Sequence, residues 1–221
     1  MAIIGLIGSG NIGGTVARLA VAAGHEVVLS NSRGPDTLAD LVADLGPLAS
    51  AGTVEEAADR GELVLVSIPL RAYATVPVEP LADKPVMDTN NYYPQRDGDI
   101  AALDDGSTTS SELLQRHLGR AKVVKVFNNI NFRHLLSLPR PAGSPDRTAL
   151  PIAGDDGLAK QAVSDFLAEL GYDAVDAGPL GEGGRRFQVG TPAYGLPYGP
   201  ISDPVGTPAP IPVIEAALAR A

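Results

Sequence analysis

Gly8-Ser9-Gly10-Asn11-Ile12-Gly13 decides the fold of this chain. The six residues match G-x-G-x-x-G, and they stand where that pattern has a physical meaning, between a strand and a helix. Ahead of them, Ala2-Ile3-Ile4-Gly5-Leu6-Ile7 is a short apolar run of the kind that forms a strand buried on both faces. Behind them, Ile12, Val16, Leu19 and Ala23 recur at helical spacing. Gly24 stops that helix, and Val27-Val28-Leu29 begins a second strand. In such a unit Gly8 permits the tight turn, Gly10 lets backbone approach a pyrophosphate, and Gly13 lets helix and strand pack closely. The helix N-terminus then faces the anion. All six residues, with Ser9, Asn11 and Ile12 completing the turn, are expected to touch a dinucleotide.

The end of the second strand selects the nucleotide. A site for NAD usually carries Asp or Glu there to hold the ribose 2′-hydroxyl. This chain has Asn31, Ser32 and Arg33, and no carboxylate until Asp36. A carboxylate repels a 2′-phosphate, whereas an arginine fork and a serine hydroxyl hold one. NADP(H) is therefore the expected cofactor.

Composition narrows the class. The chain has 221 residues, 44% hydrophobic and 19% charged, an ordinary globular balance. No apolar run reaches membrane-spanning length, and the chain enters its first strand without a charged leader, so the expected setting is the cytoplasm. With no cysteine there is no disulfide, thiol catalysis or thiolate metal site. The net charge of −9 argues against nucleic acid as a partner. The expected partners are a small-molecule substrate and a second copy of the chain, with no membrane.

Strand and helix signals then alternate. Thr37 to Leu45 reads as a helix. Thr53-Val54-Glu55-Glu56 has the capping-box pattern of a helix start. Leu63 to Ile68 is a strand stopped by Pro69, Pro85 to Asp88 another, and Lys122 to Phe127 a third. Ser110 or Ser111 is placed to cap the helix between the last two. This rhythm predicts an α/β fold, a Rossmann-type doubly wound parallel sheet. Residues 1–130 are expected to form the dinucleotide-binding domain. Residues 131–221 are expected to form a small C-terminal α/β extension for substrate or dimerisation. The extension opens with a short helix over Asn131 to Leu138 and a loop from Pro139 to Arg147. A strand over Ala149 to Ala153, a helix from Asp155-Asp156 to Leu170 and a strand from Asp173 follow. From Gly178 to Pro212 the chain is rich in Gly and Pro and carries Phe187, Tyr194 and Tyr198, which reads as an arm, a lid or disorder.

Titratable catalytic sets are absent. His25, His117 and His134 have no metal-ligand spacing, and no metal is expected. His25 reads as a surface residue, and His117 suits a helix end. His134 lies beyond a strand end and is a candidate for the acceptor pocket. Ligands in an open α/β sheet lie beyond the carboxyl ends of the strands. Those ends carry Ser67-Ile68-Pro69-Leu70, Asp88-Thr89-Asn90-Asn91-Tyr92-Tyr93-Pro94 and Phe127-Asn128-Asn129-Ile130-Asn131. Ile68, Pro69 and Leu70 are expected against the cofactor, and Asn128 and Asn129 against the nicotinamide or the acceptor; the acceptor pocket is expected to be lined by Ser67 to Leu70, Asn128 to Asn131 and the 178–200 segment. Amides and phenols suit positioning, with hydride transfer left to the cofactor and no acid or base required from the protein. Arg185 and Arg186 are adjacent cations in an acidic chain, candidates for an anionic substrate tail.

The chain resembles the NADP oxidoreductases that depend on the deazaflavin coenzyme F-420. The resemblance rests on the Gly-rich turn, the Ser32-Arg33 pair, Val66-Ser67-Ile68-Pro69 and Val124-Lys125-Val126-Phe127-Asn128. Ile152-Ala153-Gly154-Asp155-Asp156 and Asp176-Ala177-Gly178-Pro179-Leu180 are its more specific pieces. It implies hydride transfer between NADP(H) and coenzyme F-420, with the two rings stacked in a cleft. The segment from Asn90 to Gly98 and the tail after Arg186 depart from that family's pattern. Two other readings stand beside it: NADPH-dependent reduction of a flavin, imine or small carbonyl compound, and an NADP-binding sensor without turnover.

Overall fold

The computed structural model describes all residues, Met1–Ala221. The first unit forms as its pattern predicts: β1 (Ile3–Ile7), α1 (Asn11–Ala22) and β2 (Glu26–Ser30). A single 3-10 turn and α2 (Ala39–Leu45) lead to β3 (Ala49–Ala51), then α3 (Val54–Arg60) and β4 (Leu63–Val66). β5 (Pro85–Asp88) is followed by two one-turn helices, α4 (Pro94–Asp97) and α5 (Ala101–Asp104), and then by α6 (Ser110–Leu118) and β6 (Lys122–Lys125). The remainder is α7 (Phe132–Ser137), β7 (Ala149–Gly154), α8 (Gly157–Glu169), β8 (Asp173–Asp176), α9 (Leu180–Arg185) and α10 (Ile211–Leu218).

All eight strands lie in one sheet, in the order β3-β2-β1-β4-β5-β6-β7-β8. The order reverses between β1 and β4, the point at which open α/β sheets bind ligands. Every neighbouring pair is parallel except β6 and β7. The sheet is thus Rossmann-like and mostly parallel, not wholly so. Alternate residues of β4 split between two apolar layers: Leu63 and Leu65 join α1 and α8 on one face, Val64 and Val66 join α6 on the other.

Local signals explain most helix starts. Thr53 and Glu56 make the reciprocal capping box. At α6 the cap is Thr109, not Ser110 or Ser111; Thr109 and Glu112 form a second capping box. Asp156 caps α8 through the Ala159 amide, and Asp155 accepts from the Leu180 amide. β3 has no counterpart in the sequence reading, since Ala49-Ser50-Ala51 is too short and too small to announce a strand. It exists because the β2 edge offers it backbone partners.

The largest correction concerns the tail. It is neither an arm nor disordered but is packed into the body. Phe187 and Tyr198 are fully buried, the Ala149 amide donates to Ala209 O at 2.8 Å, and the Tyr198 hydroxyl donates to Ala149 O at 3.1 Å. Within it α9 is a helix despite three glycines, which are poor helix formers. A Cβ on Gly183 would lie 2.7 Å from Ala177 O, so the close approach of this helix to the sheet requires glycine there. His25 is also corrected: it is buried, accepts from the Ala2 amide through Nδ1 and meets Glu169 at 2.8 Å. No helix is long and apolar enough to cross a membrane.

Candidate active site

The three glycines of the N-terminal turn have three different surroundings. Gly8 has φ of 101°, and a Cβ there would lie 2.2 Å from Ser67 O. A Cβ on Gly13 would lie 2.0 Å from Gly8 O. Both are excluded by backbone. A Cβ on Gly10, by contrast, would meet nothing within 4 Å. Gly10 is bare on the side that opens into a cavity of about 1000 Å³, which Asn11 and Ile12 also border. The turn therefore has the open cradle that a pyrophosphate needs at the start of α1. Ser9 Oγ donates to Ser30 O at 2.9 Å and ties the turn to the end of β2.

Beyond β2, Asn31 shapes the loop. Its Oδ1 accepts from the Arg33 amide at 2.8 Å, and its Nδ2 donates to Thr37 Oγ1 at 2.9 Å. Ser32 and Arg33 are exposed, and the Arg33 guanidinium has no ion pair. Asn31 thus organises the turn, and Ser32 and Arg33 remain available to a ligand.

Opposite the turn, the ends of β4, β5 and β6 and the tail make the other walls. Ile68 and Pro69 border the cavity; Leu70 does not, because it is fully buried at the start of a 3-10 turn. After β6, Phe127 is buried in a left-handed conformation with φ of 61°. That conformation is rare for a bulky residue, and it concentrates at functional sites. It aims Asn128 and Asn129 at the cavity. Asn128 Nδ2 donates to Phe187 O at 2.9 Å, and Asn129 Nδ2 donates to Ala193 O at 2.8 Å. These bonds fix both amide orientations and leave both Oδ1 atoms buried without a partner. Two buried acceptors left without a partner, on residues that border the cavity, leave capacity for a further hydrogen bond there. His134 also borders the cavity, but its Nε2 donates to Asp203 O at 2.7 Å, so its contribution here is to hold the tail.

The other wall residues lie in the strand end after β5 and in the 178–200 segment, both expected from the sequence to face the ligand, and Arg96 alone among them was not singled out there. Thr89, Asn91, Tyr93 and Arg96 come from the segment after β5, and Tyr194 comes from the tail. The Tyr93 and Tyr194 hydroxyls are 2.5 Å apart, and Asn91 Nδ2 lies 3.4 Å from the latter. The Arg96 guanidinium lies over the Tyr93 ring, 4.9 Å from its centroid. It is held by Asp97 and by Asn91 O, leaving Nη1 unengaged. Under this segment sits a buried pair, Asp88 and Lys125. Lys125 Nζ donates to Asn90 O at 3.2 Å and to Ser111 Oγ at 3.1 Å, while Asp88 Oδ1 accepts from the Asn90 amide. Burial pushes the Asp88 carboxyl above its ordinary pKa and the Lys125 ammonium below its own, and each charge opposes the other's shift. The one visible hint was a second lysine at the far end of the Val123-Val124 run of β6.

Arg185 and Arg186 do not line this cavity. Arg186 bonds the carbonyls of Ala177 and Leu218, a structural task, and Arg185 faces a small separate pocket. Arg96 is the arginine on the cavity wall.

Residues 3–92, which hold the turn, the β2 loop and the β4 and β5 ends, match the family model described as NADP oxidoreductase, coenzyme F420-dependent. The chain resembles that family. A protein of Arthrobacter sp. FB24 provisionally assigned as an F420-dependent NADP reductase is 27% identical, with a TM-score of 0.68 over 81% of this chain and 86% of that one. A hypothetical protein of Sinorhizobium meliloti is 26% identical, with a TM-score of 0.73 over 86% and 91%. The pyrroline carboxylate reductase of Plasmodium falciparum, solved with NADP, shares the fold alone: 12% identity, a TM-score of 0.53, and 79% and 57% coverage. A search of curated proteins finds no match. The chain is of the NADP-dependent oxidoreductase type, and its acceptor is a separate question.

Proposed function

We propose that this protein transfers hydride between NADP(H) and the deazaflavin coenzyme F-420. The observation that carries the reading is the large cavity beyond the strand ends, bordered by the bare Gly10 backbone and by Asn128 and Asn129. About 1000 Å³ is the upper range of small-molecule sites and suits two flat rings held face to face. Gly8 to Gly13 would hold the pyrophosphate, and Ser32 with Arg33 the 2′-phosphate. Asn128 would orient the nicotinamide carboxamide, and Ile68 and Pro69 would back its ring. NADPH would supply the hydride, and these residues would bind, align and exclude water. Arg96, with one guanidinium nitrogen free, is the cation best placed for an anionic part of the acceptor.

The test is a spectral assay with NADPH, NADH and a panel of acceptors. Rapid loss of oxidised F-420 absorbance with NADPH, and much slower loss with NADH, supports the reading. Turnover of a flavin, imine or carbonyl acceptor without F-420 moves the function to that class. Tight NADPH binding with no turnover of any acceptor favours a sensor.

A further inference from the structure

Tyr93 and Tyr194 are about a hundred residues apart in sequence, and their hydroxyls meet at 2.5 Å on the cavity wall. Together they carry two phenolic protons. One is used between them, in whichever direction that hydrogen bond runs. Neither hydroxyl has any other protein acceptor: the one further contact is Asn91 Nδ2, and an amide nitrogen can only donate. Asn91 is itself fixed, because the same Nδ2 donates to Asn128 O at 2.7 Å. One phenolic proton is therefore left over, on a pair that borders the cavity.

We propose that the Tyr93–Tyr194 pair is the proton donor of this site, supplying the proton that a hydride acceptor takes up on its heteroatom. The inference rests on the reading that the cavity holds NADPH and an acceptor. Hydride transfer delivers two electrons and one hydrogen to carbon and leaves the acceptor one proton short of its reduced form. That charge develops on a ring nitrogen for a deazaflavin, and on oxygen or nitrogen for a carbonyl or imine. The exposed phenol breaks its O–H bond, and the heteroatom forms the new bond to hydrogen. The partner phenol then passes its own proton across the 2.5 Å contact and regains one from solvent. Asn91 Nδ2 and the Arg96 guanidinium lie beside the transient phenolate and stabilise it. Burial and the neighbouring phenol keep the Tyr194 proton in place in the resting protein, since both push its pKa up. It is drawn off as negative charge builds on the acceptor heteroatom, while solvent resupplies the pair.

Tyr93→Phe, Tyr194→Phe and the double variant keep both rings and remove the protons. Three quantities decide the matter: NADPH affinity, affinity of oxidised F-420 for the NADP⁺ complex by fluorescence, and single-turnover hydride transfer in H₂O and D₂O. NADPH affinity should be unchanged in all variants, which controls for folding. The dead-end complex should weaken about two- to tenfold in the double variant, the worth of one hydrogen bond. Hydride transfer should slow about 10²- to 10⁴-fold, the usual contribution of a general acid, and the wild-type D₂O effect should disappear. Loss confined to one single variant identifies the phenol that faces the acceptor. Unchanged binding, rate and D₂O effect in the double variant overturn the inference and leave the function standing. No hydride transfer by the wild type to any acceptor overturns the function, and the inference with it.

Discussion

The two sides of the cavity are built in opposite ways. The Gly8–Gly13 turn is a local device, in which six consecutive residues join one strand to one helix and each glycine answers one short-range demand. The facing wall is assembled from Asn91, Tyr93 and Arg96 after β5, Asn128 and Asn129 after β6, and Tyr194 from the tail. Its members are held by long-range contacts: Asn128 to Phe187, Asn129 to Ala193, and Gly195 N to Asn129 O at 2.9 Å. A nucleotide site can be written in one motif because its ligand is bound largely by backbone. A site for a second substrate is made of side chains, which distant segments must bring together.

The strongest way to break this comparison is at the support of the wall. Lys125→Met removes a fully buried ammonium and should cost about 3–5 kcal/mol of stability, because Asn90 O and Ser111 Oγ each lose a charged donor and Asp88 loses the nearby positive charge. Combining it with Asp88→Leu should recover part of that loss in denaturant titration. A stable single variant would mean that the pair does not hold the segment after β5.

The turn is probed by two glycine substitutions with opposite outcomes. Gly13→Ala meets the Gly8 carbonyl and should destabilise the fold by about 1–3 kcal/mol. The Cβ of Gly10→Val meets no protein atom within 4 Å, so thermal unfolding should stay near wild type. NADPH affinity should nonetheless fall by about 3 kcal/mol or more, roughly a hundredfold, as charge-assisted bonds to the phosphates are displaced. Retained NADPH binding in Gly10→Val would show that the cradle holds something else.

Nucleotide choice sharpens the local side further. Arg33→Ala should cost NADPH about 1.5–3 kcal/mol, ten- to a hundredfold, and leave NADH almost untouched. Calorimetric titration with both nucleotides reads this directly, and equal losses would remove Arg33 from the 2′-phosphate.

The smallest effect concerns the buried phenols of the C-terminal part. Burial holds Tyr172, Tyr194 and Tyr198 above the ordinary phenol pKa. The folded chain keeps these protons more tightly than the unfolded one. The stability this provides is fully present below the unfolded value of about 10 and is lost as pH rises through the raised folded values. Absorbance titration should show their ionisation coinciding with alkaline unfolding. Smooth ionisation near pH 10 in a folded protein would place these rings in solvent.

Most of the fold was legible in sequence. The apolar runs of β1, β4 and β6, the Thr53–Glu56 box and the Asp156 cap are short-range signals, and each forms as its pattern predicts. The glycine turn was legible for the same reason. What escaped was whatever depends on a neighbour distant in sequence. β3 is a strand because β2 needs an edge partner, α9 is a helix because its glycines allow close packing, and His25 is buried because it packs edge-on against Phe166, accepts from the Ala2 amide and lies beside Glu169. The Gly/Pro-rich tail looked like an arm because weak local propensities carry no record of the surface they cover. The sequence alone thus determined the Rossmann-type framework and its dinucleotide turn, whose energetics are local. Only the tertiary structure decided the opposite wall, because the positions of Tyr93, Asn128 and Tyr194 depend on packing between segments whose own patterns are silent about one another.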